Sequence, residues 1–178
     1  KEISVARATL AFTVVALKAA PKESTVQALL PLIKSSDTPR PLLLGLSVLV
    51  RRYCEKSKDC DNNAGLKVAR DAFIERLGKA TDNNDKLTAI KAIENLNVHK
   101  DEADAVKVLD DIINSKDAEP IARAAAVQAL PNEASHNDHF KSIVLEESNP
   151  NEVRIAAFQK LARNSGLKNV KEFMGVKE

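Results

Sequence analysis

Three short stretches, 90-IKAIENL-96, 124-AAAVQAL-130 and 155-IAAFQKL-161, decide how this chain folds. Each has a small residue at its third place (Ala92, Ala126, Ala157), a larger apolar residue next (Ile93, Val127, Phe158) and a closing leucine (Leu96, Leu130, Leu161). The copies are offset by 34 and 31 residues. Self-similarity at that period implies stacked helical hairpins, each burying its apolar face against its neighbour. The small residue lets one helix approach the next, and the bulky one is expected to fill the gap between layers. The entrances repeat as well: 117-DAEPIARAAA and 148-SNPNEVRIAA both set an acidic residue ahead of an arginine, Arg123 and Arg154.

Composition agrees with that reading. Aromatic residues are only 3% of the 178 and glycines number five, too few for the strand and turn chemistry of a β-protein. Alanine, leucine, lysine and glutamate dominate, the residues that lose least on entering a helix. The fold class is all-α, a two-layered α-solenoid of about ten helices forming one domain over residues 1–178.

Helical periodicity marks segments at about 2–19, Ser24–Lys34, Leu42–Cys54, Ala64–Ala80, Asp85–Leu96, Asp101–Asn114, Glu119–Leu130, His136–Glu147, Asn151–Arg163 and Lys168–Met174. Ser24 is placed as an N-cap, Pro31 as a kink or an early end, and Leu66, Ala69, Phe73 and Leu77 as one buried stripe. The connectors are short and rich in Asn, Asp, Pro and Ser, which makes successive helices antiparallel. The run Leu42–Val50 is internal, follows "TPRP" and leads into Arg51 and Arg52. It therefore reads as a core helix and not as a signal sequence. The chain starts at Lys1 inside an expected helix and without Met, as a piece of a longer protein would.

Chemistry is sparse. The net charge of +2 and the lack of stacking aromatics argue against a nucleic-acid partner. The histidines are His99, His136 and His139. The last two, in 135-SHNDHF-140, could face one metal at i and i+3, but no third ligand is assignable and a polar helix start is the better reading. Glu146–Glu147 and Asp110–Asp111 read as helix surface. Arg51 and Arg52 could meet phosphate or a lipid headgroup, or simply complement a helix C-terminus. No catalytic residue, cofactor or metal site is expected. The two cysteines, Cys54 and Cys60, match no common zinc or thioredoxin spacing. An even count in polar surroundings favours a disulfide that straps a short turn, worth about 2 kcal/mol or less, and an oxidising compartment.

The phrases 45-GLSVLVRRYC-54, 67-KVARDAFIERLGKATD-82, 86-KLTAIKAIENLNVHK-100, 119-EPIARAAAVQAL-130 and 149-NPNEVRIAAFQKL-161 resemble, in this order, the helical region of the large lipid transfer proteins. That family includes vitellogenins, insect apolipophorins, apolipoprotein B and the microsomal triglyceride transfer protein; the likeness is greatest to arthropod apolipophorins or vitellogenins, some of which are allergens. It covers nearly the whole chain. The resemblance implies a right-handed arch wrapped around a lipid cavity of β-sheets from flanking segments, in a secreted, lipid-carrying protein. Tyr53 and Cys54 carry over as structural residues, and no lipid contact does. The rival is an intracellular HEAT-like scaffold that binds a protein in its groove.

Overall fold

The computed structural model of the protein describes residues 23–54, 64–80, 82–96 and 103–173, and among them the regular elements are eight α-helices and one 3-10 helix. They are α1 (Glu23–Lys34), α2 (Arg40–Cys54), α3 (Ala64–Lys79), α4 (Asn83–Asn95), α5 (Ala103–Asn114), α6 (Pro120–Ala129), the 3-10 helix Ala134–His136, α7 (Asn137–Leu145) and α8 (Asn151–Phe173). The helix expected at 2–19, the turn holding Cys60, and His99 lie outside the described residues. The chain divides into two compact units, Lys1–Asn97 and Val98–Glu178.

In the first unit, helices two apart in sequence pack side by side, α1 on α3 and α2 on α4, while α3 and α4 form a hairpin. The core holds Ile33, Leu43, Leu46, Val50, Ala69, Phe73, Ile90 and Ile93, all fully buried. Each large side chain among them contributes about 1.5–3 kcal/mol by leaving water. The stripe Ala69, Phe73 and Leu77 is buried as its spacing requires. Pro31 does not end α1, which runs through it to Lys34.

In the second unit α5 and α6 form one hairpin, α7 and α8 the next, and α6 packs beside α8. Ala126 and Ala157 are fully buried, as the repeat demands of its small residue, and Leu130 and Leu161 are buried with them. Val127 is buried too, but its counterpart Phe158 is 40% exposed, so the expectation that this position fills an interlayer gap fails in the last copy. The α-helix expected from His136 begins at Asn137 behind a 3-10 turn. Gly166, at φ 74° and ψ 153°, breaks α8. A Cβ there would meet nothing within 4 Å, so the glycine serves the left-handed backbone rather than a close approach. The break falls between the two segments expected from periodicity.

Three turns are built alike: 35–39 after α1, 115–119 after α5 and 146–150 after α7. Each starts the next helix by offering one carbonyl to two N–H groups. Pro39 O accepts from Leu42 and Leu43 at 2.9 and 3.2 Å, Glu119 O from Ala122 and Arg123 at 2.9 and 3.0 Å, and Pro150 O from Val153 and Arg154 at 3.0 and 3.1 Å. Proline suits this entry because its fixed φ is already helical and its missing N–H would find no partner there. It appears as Pro41, Pro120 and Pro150 within or just before the first turn.

Candidate functional site

Helix ends leave carbonyls without intrahelical partners, and in this protein basic side chains from other helices collect them. In the turn after α5, Arg123 Nε donates to Ile113 O at 2.7 Å; after α7, Arg154 Nε donates to Val144 O at 2.9 Å. Each arginine bonds the carbonyl ten residues before itself. After α1 the place of these arginines is taken by Leu43, and the job passes to Arg76 of α3. Its Nη1 donates to Ile33 O at 3.2 Å and to Ser35 O at 2.5 Å, while Nε and Nη2 hold Asp85 Oδ1 at 3.1 and 2.7 Å. One buried guanidinium thus ties the end of α1 to the start of α4.

Lys160 repeats the device inside the second unit. Although 2% exposed, it donates Nζ to Gln128 O at 3.1 Å and to Leu130 O, the negative pole of α6. In the preceding copy this position is Ala129. Sequence reading missed both Arg76 and Lys160, because the carbonyl partners of each lie about 30 to 43 residues away. The Arg123 and Arg154 pair was visible in the repeated entrances. Arg51 also finds a helix end, donating Nη1 to Asn95 O at 3.4 Å; this is the end of α4 and not of its own helix, as the sequence reading had it, and the side chain of Arg52 lies outside the described residues.

The exposed charges form local networks. Glu75 takes Lys34 at 2.5 Å and Lys79 at 2.6 Å, and hydrogen bonds from these ammonium groups lower its pKa to about 2. Asp82 caps α4 through the Asp85 N–H at 2.9 Å, with Arg40 beside it at 3.0 Å; the capping bond first, then the nearby guanidinium, hold its carboxyl below the usual range. Glu146, expected on a helix surface, instead accepts from both the hydroxyl and the N–H of Ser148 in the turn, at 2.8 and 3.2 Å, and these bonds lower its pKa.

His136 and His139 both lie against Phe140, with ring centroids 6.1 and 6.3 Å from it. His139 Nε2 approaches Asp110 Oδ1 to 3.1 Å, but both atoms are shut from water and neither meets hydrogen-bond geometry. This is a close contact of α7 with α5 rather than a formed bond. Among the described residues no three His, Cys, Asp or Glu side chains come together as a metal site, and no helix is long and apolar enough to cross a membrane. α2 ends at Cys54, whose side chain, with those of Arg52 and Tyr53, lies outside the described set, as does the proposed Cys54–Cys60 pair.

The remaining candidate is a surface. Among the described residues the large exposed apolar side chains are Val48 on α2, Ile121 on α6, Ile155 and Phe158 on α8, and Leu145 at the last position of α7. All but Leu145 sit on even-numbered helices. The odd-numbered helices expose charge at Lys67, Asp71 and Lys79 on α3, Lys107 and Asp111 on α5, and Asp138 on α7. The even-numbered helices also expose charge, at Arg40 on α2, Lys91 on α4 and Glu152 and Arg163 on α8, so what sets them apart is the large apolar side chains they leave in solvent, Val48 in the first unit and Ile121, Ile155 and Phe158 in the second.

Comparison with known proteins agrees with the helical repeat. The profile of the vitellogenin TPR domain matches residues 1–174. No curated protein and no solved structure matches the chain.

Proposed function

The chain belongs to the vitellogenin TPR-domain family, and on that premise we propose that it is the helical scaffold of a secreted lipid-transport lipoprotein. In this reading the helices form a two-layered right-handed arch. The even-numbered layer rests on lipid-bearing β-sheets contributed by flanking segments, and the odd-numbered layer faces water. The protein acts as a support and docking surface, with no catalytic step and no cofactor of its own. A disulfide between Cys54 and Cys60 straps the turn from α2 into α3.

The observation that carries this reading is the distribution of large exposed apolar side chains among the described residues, with Val48, Ile121, Ile155 and Phe158 on the even helices and Leu145 alone, at the end of α7, on an odd one. An apolar group left in water on a folded domain contributes once another surface covers it. Membership of a lipid-carrying family supplies the class of partner.

The test is made in the intact lipoprotein. Ile121→Glu and Val48→Glu are expected to lower the lipid carried per particle severalfold, while Lys107→Gln on the odd layer leaves it unchanged. Normal lipid loading in both glutamate variants would remove the even layer from the lipid side. Mass spectrometry of non-reduced, natively purified protein is expected to find Cys54 joined to Cys60; free thiols at both would return the intracellular scaffold reading. The isolated domain is expected to bind neutral lipid poorly, because the cavity lies in other segments.

A further inference from the structure

Gln128 on α6 and Gln159 on α8 hold the same place in the repeat. The Gln128 amide donates to Gln159 Oε1 at 3.0 Å and to Ala156 O at 3.3 Å. Arg123, in the first half of α6, bonds Asn149 just ahead of α8, so the two helices run side by side in one direction. Residues three, four and seven apart share a helix face, and the glutamine bond therefore fixes what lies beside what. Seven residues before it stand Ile121 on α6 and Glu152 on α8, and Ile155 lies four before Gln159. Ile121 is 58% exposed and Ile155 56%. Glu119, just ahead of α6, and Glu152, in the first turn of α8, are exposed next to them.

The carboxylates at this end are unanswered. In the first unit Asp71, Glu75, Asp82, Asp85 and Glu94 each have a Lys or Arg within 3.5 Å. In the second, Asp117, Glu119, Glu147 and Glu152 are exposed and have no such partner among the described residues. The nearby arginines, Arg123 and Arg154, spend Nε on the carbonyls of Ile113 and Val144 instead. Lys116 is the one base in the two turns, 115–119 and 146–150. The second unit holds eleven Lys and Arg against fourteen Asp and Glu, where the first holds sixteen against eleven. The positive end of a helix favours a first-turn carboxylate. That accounts for Glu119 and Glu152, but not for bare isoleucines beside them.

We propose that the surface covering Ile121 and Ile155 is a cationic protein segment, with apolar side chains over the isoleucines and Lys or Arg side chains against Glu119 and Glu152. This rests on the reading of the even layer as the covered one, and it assigns the cover to the protein of the flanking sheets rather than to lipid. Hydrocarbon laid here would strip water from the carboxylates and return no partner. Anionic headgroups would bring like charge against like. A cationic segment satisfies the isoleucines and the carboxylates together, through charge-assisted bonds that also set its register on the face.

The test is hydroxyl-radical footprinting of the intact lipoprotein, read by mass spectrometry at Ile121 and Ile155. In the parent both are expected to label slowly. Glu119→Lys combined with Glu152→Lys is expected to raise their labelling at least fivefold, and Glu119→Gln combined with Glu152→Gln at least twofold. Both glutamates are exposed and Glu119 makes no side-chain capping bond, so the fold is expected to survive. Buried Phe140, unlabelled in each variant, reports that it has. If the lysine pair exposes Phe140, the glutamine pair decides, and unchanged labelling there overturns the proposal. Slow labelling that persists in a folded lysine variant overturns it too, and leaves the face covered by a neutral or anionic surface. Fast labelling of both isoleucines in the parent means that nothing covers them, and removes the lipid-side reading together with this one.

Discussion

Arg123 Nη2 lies 2.5 Å from Asn149 Oδ1, joining residues 26 apart in sequence. The contact couples two hairpins that apolar packing and the bonds of Lys160 and Gln128 also join, and its worth is measurable. In a double-mutant cycle, Arg123→Ala and Asn149→Ala are expected to show a coupling energy of about 1–2 kcal/mol, as a charge-assisted bond in partly buried surroundings should. Denaturant unfolding of the four proteins with a common slope would measure it. Additive single effects would mean that the two side chains merely sit near each other.

Arg76 makes four side-chain hydrogen bonds in the first unit. Arg76→Ala removes four hydrogen bonds and leaves the Asp85 carboxylate and the Ile33 and Ser35 carbonyls without their partner. The loss is expected to be about 3 kcal/mol, with Asp85 the larger share because its side chain is only 20% exposed. Arg76→Lys should recover less than half, since one ammonium cannot serve acceptors on both sides. A denaturation midpoint within error of the parent would show that water replaces the guanidinium.

Ala126 holds the small-residue position of the repeat on α6 and is fully buried. Ala126→Leu should overpack that position and cost about 1–3 kcal/mol. Ala124→Leu, two residues away and part-exposed, is the control and should change stability by less than about 0.5 kcal/mol. Equal effects at both positions would misplace the small-residue register of the repeat.

That register shows what could be read in advance. Local period and repeat offset place Ala92, Ala126 and Ala157 in the core without any knowledge of the partner helices, because a helix face is fixed by its own spacing. The same logic puts Arg123 and Arg154 at equivalent helix entries. It cannot find Arg76 or Lys160. Each is a basic residue inside an amphipathic pattern, and the pattern alone says that such residues face water. Their burial is decided by carbonyls that arrive from about 30 or more residues away. Phe158 fails for the opposite reason: its spacing is that of a core residue, but burial also requires a neighbour on that edge. The exposed apolar side chains of the even helices have no signature in the local period. Val48, Ile121 and Ile155 became identifiable once the packing of helix on helix had used up the other apolar positions.

Glu75 offers a pH-dependent test of the surface network. Bonds from Lys34 and then Lys79 lower its pKa from 4.5 to about 2. A carboxylate depressed in the folded state adds stability that is fully present above its unfolded value and is lost as pH falls through the folded value. The window therefore runs from about pH 4.5 down to about pH 2. Within it, the parent should lose more melting temperature than Glu75→Gln, and the two should converge near its acid end. Above pH 5 the difference between them should be constant. Because the group is solvent-exposed, the whole effect is small and should shrink in 0.5 M salt. Parallel melting curves for the two proteins from pH 2 to 6 at low salt would show that the lysines do not hold Glu75 in solution.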